Sequence, residues 1–151
     1  MTQLSPHFTL AELTHSDTAT LHDIDNTPTP DALLNLSTLA TTVLEPARAA
    51  CGGVALHVHD GYRCAAVNAL VGGVPHSQHE TGEAADVDAE GLSHRDAFDR
   101  IRRDPNIPFD QCILESGCVH LSCAAEGATP RRQVLVRHGT SGHWTYAPPE
   151  D

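Results

Sequence analysis

Apolar residues in the first third of the chain recur at three- and four-residue spacing. Leu33, Leu36, Leu39, Val43 and Leu44 trace one stripe, the signature of a helix with a single buried face. Its boundaries carry their own chemistry. Thr29 is placed to cap it, Pro30 suits the first helical position, Asp31 favours the first turn, and Gly52-Gly53 ends it. Upstream, Phe8-Thr-Leu-Ala-Glu-Leu13 predicts a short helix with a capping box, Thr9 as N-cap and Glu12 three residues on, with Phe8 and Leu13 as a hydrophobic staple. The stretch 23–28 between them is rich in turn formers.

Further along, the period shortens. Residues 54–59, 84–87, 111–115, 118–123 and 133–137 read as strands. Two short helices are interleaved: 64–70, ended by Gly72-Gly73, and a helix capped by Ser93, with Phe98 and Ile101 facing inward and Arg102-Arg103 near its C-terminal end. Helices come early, strands cluster late, and no βαβ repeat is present. The expected fold is α+β: one domain over residues 1–151, with a small antiparallel sheet and helices packed on it.

Composition narrows the function. With 151 residues the chain can bury a core unaided. Its net charge is −11 and all nine basic residues are arginine, which argues against a nucleic-acid footprint and against anionic membrane surfaces. The N-terminus has neither a positive n-region nor an apolar h-region, and the five cysteines read as free thiols. The expectation is a protein made in the cytoplasm without a signal peptide, acting as a monomer.

The candidate chemistry lies in His76-Ser-Gln-His-Glu-Thr-Gly-Glu-Ala-Ala-Asp-Val-Asp88. His79-Glu80 is not half of a His-Glu-x-x-His zinc helix, because position 83 is Glu and Gly82 interrupts any helix. Asp86 sits in an apolar strand, where an unpaired carboxylate is costly and a metal or an arginine would relieve it. His79 can approach it across the Thr81-Gly82 turn, and His120, also polar in an apolar strand, is the candidate third ligand. Singly, each has a plainer reading: a buried histidine bonded to a carbonyl, or an aspartate capping a turn. A structural zinc on Cys118, His120 and Cys123 is disfavoured, since the two cysteines fall on opposite strand faces.

The stretch from Gly61-Tyr-Arg-Cys-Ala-Ala-Val-Asn68 to Asp86, with its Ser77-x-His79-x-x-Gly82-x-Ala84-x-Asp86 core and the later Val119-His120-Leu-Ser, resembles the zinc D-Ala-D-Ala peptidases. That family includes D-Ala-D-Ala carboxypeptidases, dipeptidases and phage L-Ala-D-Glu endolysins. Phe8–Leu13 and Leu44-Glu-Pro-Ala-Arg48 are similar to its carboxypeptidase branch. The resemblance implies a Hedgehog/DD-peptidase-like fold and one zinc ion on His79, Asp86 and His120. It also implies Arg63 at the substrate carboxylate or the oxyanion, and Ser77 hydrogen-bonded to substrate.

One position departs from the pattern. Many members carry an acid three residues before the last histidine, and here that residue is Gly117. A two-residue turn at Ser116-Gly117 would set Glu115 opposite Cys118 and Ile113 opposite His120, leaving Glu115 diagonal to His120 as a replacement base. Its plainer reading is a surface glutamate at a hairpin end. Cys118 stands where relatives often carry tryptophan. The expectation is a zinc metallopeptidase acting on peptidoglycan stem peptides, reaching the wall after phage lysis or on a phage or tail-like particle. The alternative is an inactive zinc-containing domain that binds wall peptide or serves as a structural part.

Overall fold

The computed structural model describes residues 1–151. A two-stranded ribbon, β1 (Gln3–Ser5) and β2 (Phe8–Thr9), leads into α1 (Leu10–Thr14) and α2 (Asp17–Leu21). The capping box of α1 is formed: Glu12 N donates to Thr9 Oγ1 at 3.2 Å, and Thr9 N donates to the Glu12 carboxylate at 2.9 Å. Phe8 and Leu13 are buried beside it.

The long helix runs as α3 (Pro30–Leu39), a π turn (Ala40–Leu44) and α4 (Glu45–Ala50), with Thr29 Oγ1 accepting from Ala32 N at its start. The π turn has a local cause. Pro46 has no N–H to give Thr42, and its ring would press on that carbonyl. The preceding turn widens, and Glu45 N reaches back five residues to Ala40 O. Leu36, Leu39, Val43 and Leu44 are fully buried, each contributing roughly 1.5–3 kcal/mol. Leu33 departs from the predicted stripe and is 37% exposed. The backbone at Gly82 approaches this turn so closely that a Cβ there would stand 2.4 Å from Ala32 O. Ala32 therefore takes the buried position and Leu33 turns outward.

The sheet has six strands in the order β3-β4-β6-β5-β7-β8: β3 (Leu56–Asp60), β4 (Ala84–Ala89), β5 (Gln111–Leu114), β6 (Val119–Ser122), β7 (Gln133–Thr140) and β8 (His143–Ala147). Between them lie α5 (Ala65–Leu70) and α6 (His94–Arg103). The α+β fold and the antiparallel sheet are as expected except at one pairing, where β7 runs parallel to β5. Asp110 causes this: its carboxylate binds Arg131 N at 3.0 Å and the Arg131 guanidinium at 2.7 Å, and its carbonyl accepts from Gln133 N at 2.9 Å. The start of β7 is thereby fastened beside the start of β5. The unpredicted β8 returns through a tight turn at Ser141-Gly142, with Thr140 paired to His143.

Ala85, Val87, Ala89, Cys112, Val119 and Leu121 face the helices and are buried, as are Phe98 and Ile101 of α6. Residues between them in sequence, Asp86, Asp88, Ile113 and His120, project from the other face, where the site is built. All five cysteines are unpaired. No helix is long and apolar enough to cross a membrane.

Candidate metal centre

Three elements bring His79, Asp86 and His120 together. Asp86 and His120 are cross-strand partners on β4 and β6, and His79 arrives from the turn-rich segment before β4. One ligand atom from each lies within 4.8 Å of the others. Asp86 Oδ1 is 2.9 Å from His120 Nδ1, and Asp86 Oδ2 is 3.5 Å from His79 Nε2. His79 is only 4% exposed.

The orientation of His79 is set from behind. Its Nδ1 lies 2.7 Å from Gly61 O, so Nδ1 donates there and Nε2 is left facing Asp86. Gly61 is itself clamped: a Cβ on it would meet Leu13 O at 2.3 Å, and Tyr62 N donates to the same carbonyl at 2.8 Å. Arg63 N donates to His79 O at 3.0 Å and closes the bracket. The cap of α1 thus reaches the metal centre through Leu13 and Gly61. Gly82 does similar work, since its φ of +78° and its contact with Ala32 let the chain fold back from His79 to β4.

Charge is balanced within the cluster. Burial alone would raise the Asp86 carboxyl, but hydrogen bonds from His120 and His79 outweigh it and hold Asp86 well below the usual carboxylate range. Burial opposes protonation of His79, yet Asp86 prevails and raises its proton affinity. Such a set, two imidazoles and a carboxylate with one nitrogen pre-aimed, fits zinc: three protein ligands leave a fourth position for water or substrate.

The hairpin register expected from Ser116-Gly117 is present, with Ile113 opposite His120 and Glu115 N donating to Cys118 O at 3.0 Å. Glu115, Cys118 and Asp86 form a second group whose ligand atoms lie within 4.8 Å of one another. Sequence reasoning missed what holds Glu115. Arg137 Nη1 donates to Glu115 Oε2 at 2.7 Å, and Cys118 Sγ donates to Oε1 at 3.5 Å. Burial pushes the Cys118 thiol up, so it stays protonated as a donor. Gly117, in the position where an acid was sought, is exposed.

Arg63 and Ser77 also line the cleft of about 670 Å³ that opens over this face. Arg63 Nη1 donates to Asp60 Oδ2 at 2.8 Å, while its Nε is buried without a partner. Ser77 Oγ donates to the buried Asn68 Oδ1 at 3.1 Å. His76 lines the cleft. His59 does not reach the triad and pairs instead with Asp88 at 3.3 Å. Glu83 is buried and accepts from Thr81.

A family model described as Peptidase M15 matches residues 6–122. The chain belongs to the M15 peptidase family. Among curated proteins, none matches it. M15 enzymes are zinc-dependent metallopeptidases, and the triad of this M15 chain supplies a donor set that suits that ion. The match ends at β6. Strands β7 and β8, with Leu135, Arg137, Trp144 and Tyr146 in the cleft wall, lie beyond it.

Proposed function

We propose that this M15 chain is a zinc metallopeptidase that hydrolyses peptidoglycan stem peptides. The observation that carries the reading is the convergence of His79, Asp86 and His120 within 4.8 Å beside Glu115, on the floor of an open cleft. When bound there, zinc supplies Lewis-acid polarisation of the scissile carbonyl and lowers the pKa of a water to near 7. Glu115 accepts the proton of the attacking water on its cleft-facing carboxylate and returns it to the leaving amine. Arg137 keeps that carboxylate in place through Oε2. Arg63 offers its unpartnered Nε to a substrate carboxylate or to the carbonyl oxygen as charge develops. Ser77, held by Asn68, presents its hydroxyl oxygen to the same cleft.

A second reading is a zinc-containing domain that binds wall peptide without cutting it. The glycine at position 117 favours it, because the acid of many relatives is absent there. One experiment separates the two. Zinc-loaded protein and Glu115→Gln are incubated with purified peptidoglycan, and the products are identified by mass spectrometry. The peptidase reading expects peptide fragments from the wild type and a rate lower by about 10²–10⁴ in the variant, with zinc retained. Intact peptidoglycan after treatment with zinc-loaded wild type would sink it. Equal rates would remove Glu115 as base and leave the enzyme standing.

A further inference from the structure

The β7–β8 hairpin, outside the family match, does more than close the sheet. Arg137 lies with its guanidinium carbon 3.8 Å from the Trp144 ring centroid and its Nη1 on Glu115, while its Nε is buried with no partner. A buried donor without a partner is costly, and an acceptor entering the cleft would relieve that cost. Tyr146 sits directly across the ladder from Arg137 and is 49% exposed. Ile113 and Leu135, partners across β5 and β7, make an apolar floor beside them.

On the other side of the triad Arg63 repeats the arrangement: Nη1 is bonded to a carboxylate and Nε is buried and unpaired. Its head is tied to Asp60, the last residue of β3, whereas Arg137 is on β7. The strand order sets β4, β6 and β5 between those two backbone positions, so the two cations reach the cleft from opposite sides of the triad. The metal centre on β4 and β6 lies between them.

We propose that Arg137 and Trp144 form a second substrate subsite. It receives a carbonyl or carboxylate oxygen of the stem peptide on the opposite side of the reacting bond from Arg63. The inference rests on the peptidase reading and deepens it: the substrate is a stem peptide that continues past the reacting bond on the Arg137 side, where a free dipeptide, ending there in its amine, offers no oxygen.

Trp144 is the only tryptophan in the chain, so its emission reports on this subsite alone. Zinc-loaded protein is mixed rapidly with a synthetic stem pentapeptide, L-Ala–γ-D-Glu–L-Lys–D-Ala–D-Ala, or with the dipeptide D-Ala–D-Ala, and emission is read before turnover. Binding to Trp144→Ala is measured in parallel by calorimetry. The pentapeptide shifts the emission saturably and the dipeptide does not. Trp144→Ala weakens pentapeptide binding about tenfold and leaves the dipeptide unchanged. An emission that the pentapeptide leaves unmoved overturns the subsite, whether or not the peptide is cut. So does a variant that weakens both ligands alike. An emission shift without cleavage upholds the subsite and removes the peptidase reading instead.

Discussion

Strand β4 carries two aspartates on one face, Asp86 and Asp88, and each meets two histidines. The residue types are the same and the outcomes are not. Asp86, 15% exposed, binds side chains that are 5% and 12% exposed, with His79 fixed from behind by Gly61 O. Asp88, 31% exposed, faces His59 at 3.3 Å and His94 at 3.9 Å, whose side chains are 51% and 37% exposed. Around Asp88, a metal would have to order mobile side chains in competition with water, at a cost in rotamer entropy. Around Asp86 the fold has already met that cost. A metal centre is made by the support behind the ligands as much as by the ligands.

The largest expected break in this contrast comes from His120→Ala. It loses zinc and at least ~10³-fold of the hydrolysis rate, whereas His59→Ala keeps both; metal analysis and an initial-rate assay read the pair. Next comes Gly61→Ala. The added methyl strikes Leu13 O, which should cost about 1–3 kcal/mol of stability by chemical denaturation and weaken zinc about 10–100-fold by displacing the acceptor of His79 Nδ1.

A subtler break is pH. His79 has a raised proton affinity in the metal-free fold. Its pairing with Asp86 therefore stabilises that fold fully below the unfolded histidine pKa of about 6.5, and the contribution is lost as pH rises through the folded value. Zinc requires the same nitrogen without its proton, so its own stabilisation grows over that rise. The Tm increase on adding zinc should be larger at pH 8 than at pH 5.5, and a flat or opposite trend would contradict the arrangement. The smallest expected effect is His94→Ala, a change within about 0.5 kcal/mol in unfolding free energy and none in zinc content.

Much of this was legible beforehand because the governing interactions are local. The Thr9–Glu12 box and Thr29-Pro30 act over one turn, and Ser116-Gly117 sets the register that places Glu115 near Asp86. The ligand triple came with the resemblance; spacing alone left each member a plainer reading. What stayed hidden depends on contacts across the chain. The parallel pairing of β7 rests on Asp110 holding Arg131, 21 residues away, and Glu115 is held by Arg137, 22 residues away. Neither partner choice leaves a periodic trace. Strand β8 did leave a signal, the Ser141-Gly142 pair between two runs suited to strands, which a reading centred on the histidines passed over. Leu33 fits the helical stripe and is exposed because Gly82 packs against that turn.

The most direct test sets the two aspartates side by side. Zinc per chain is measured by mass spectrometry after dialysis for the wild type, Asp86→Asn and Asp88→Asn. The account predicts about one zinc in the wild type and in Asp88→Asn, and essentially none in Asp86→Asn. Zinc retained by Asp86→Asn, or lost from Asp88→Asn, would contradict it.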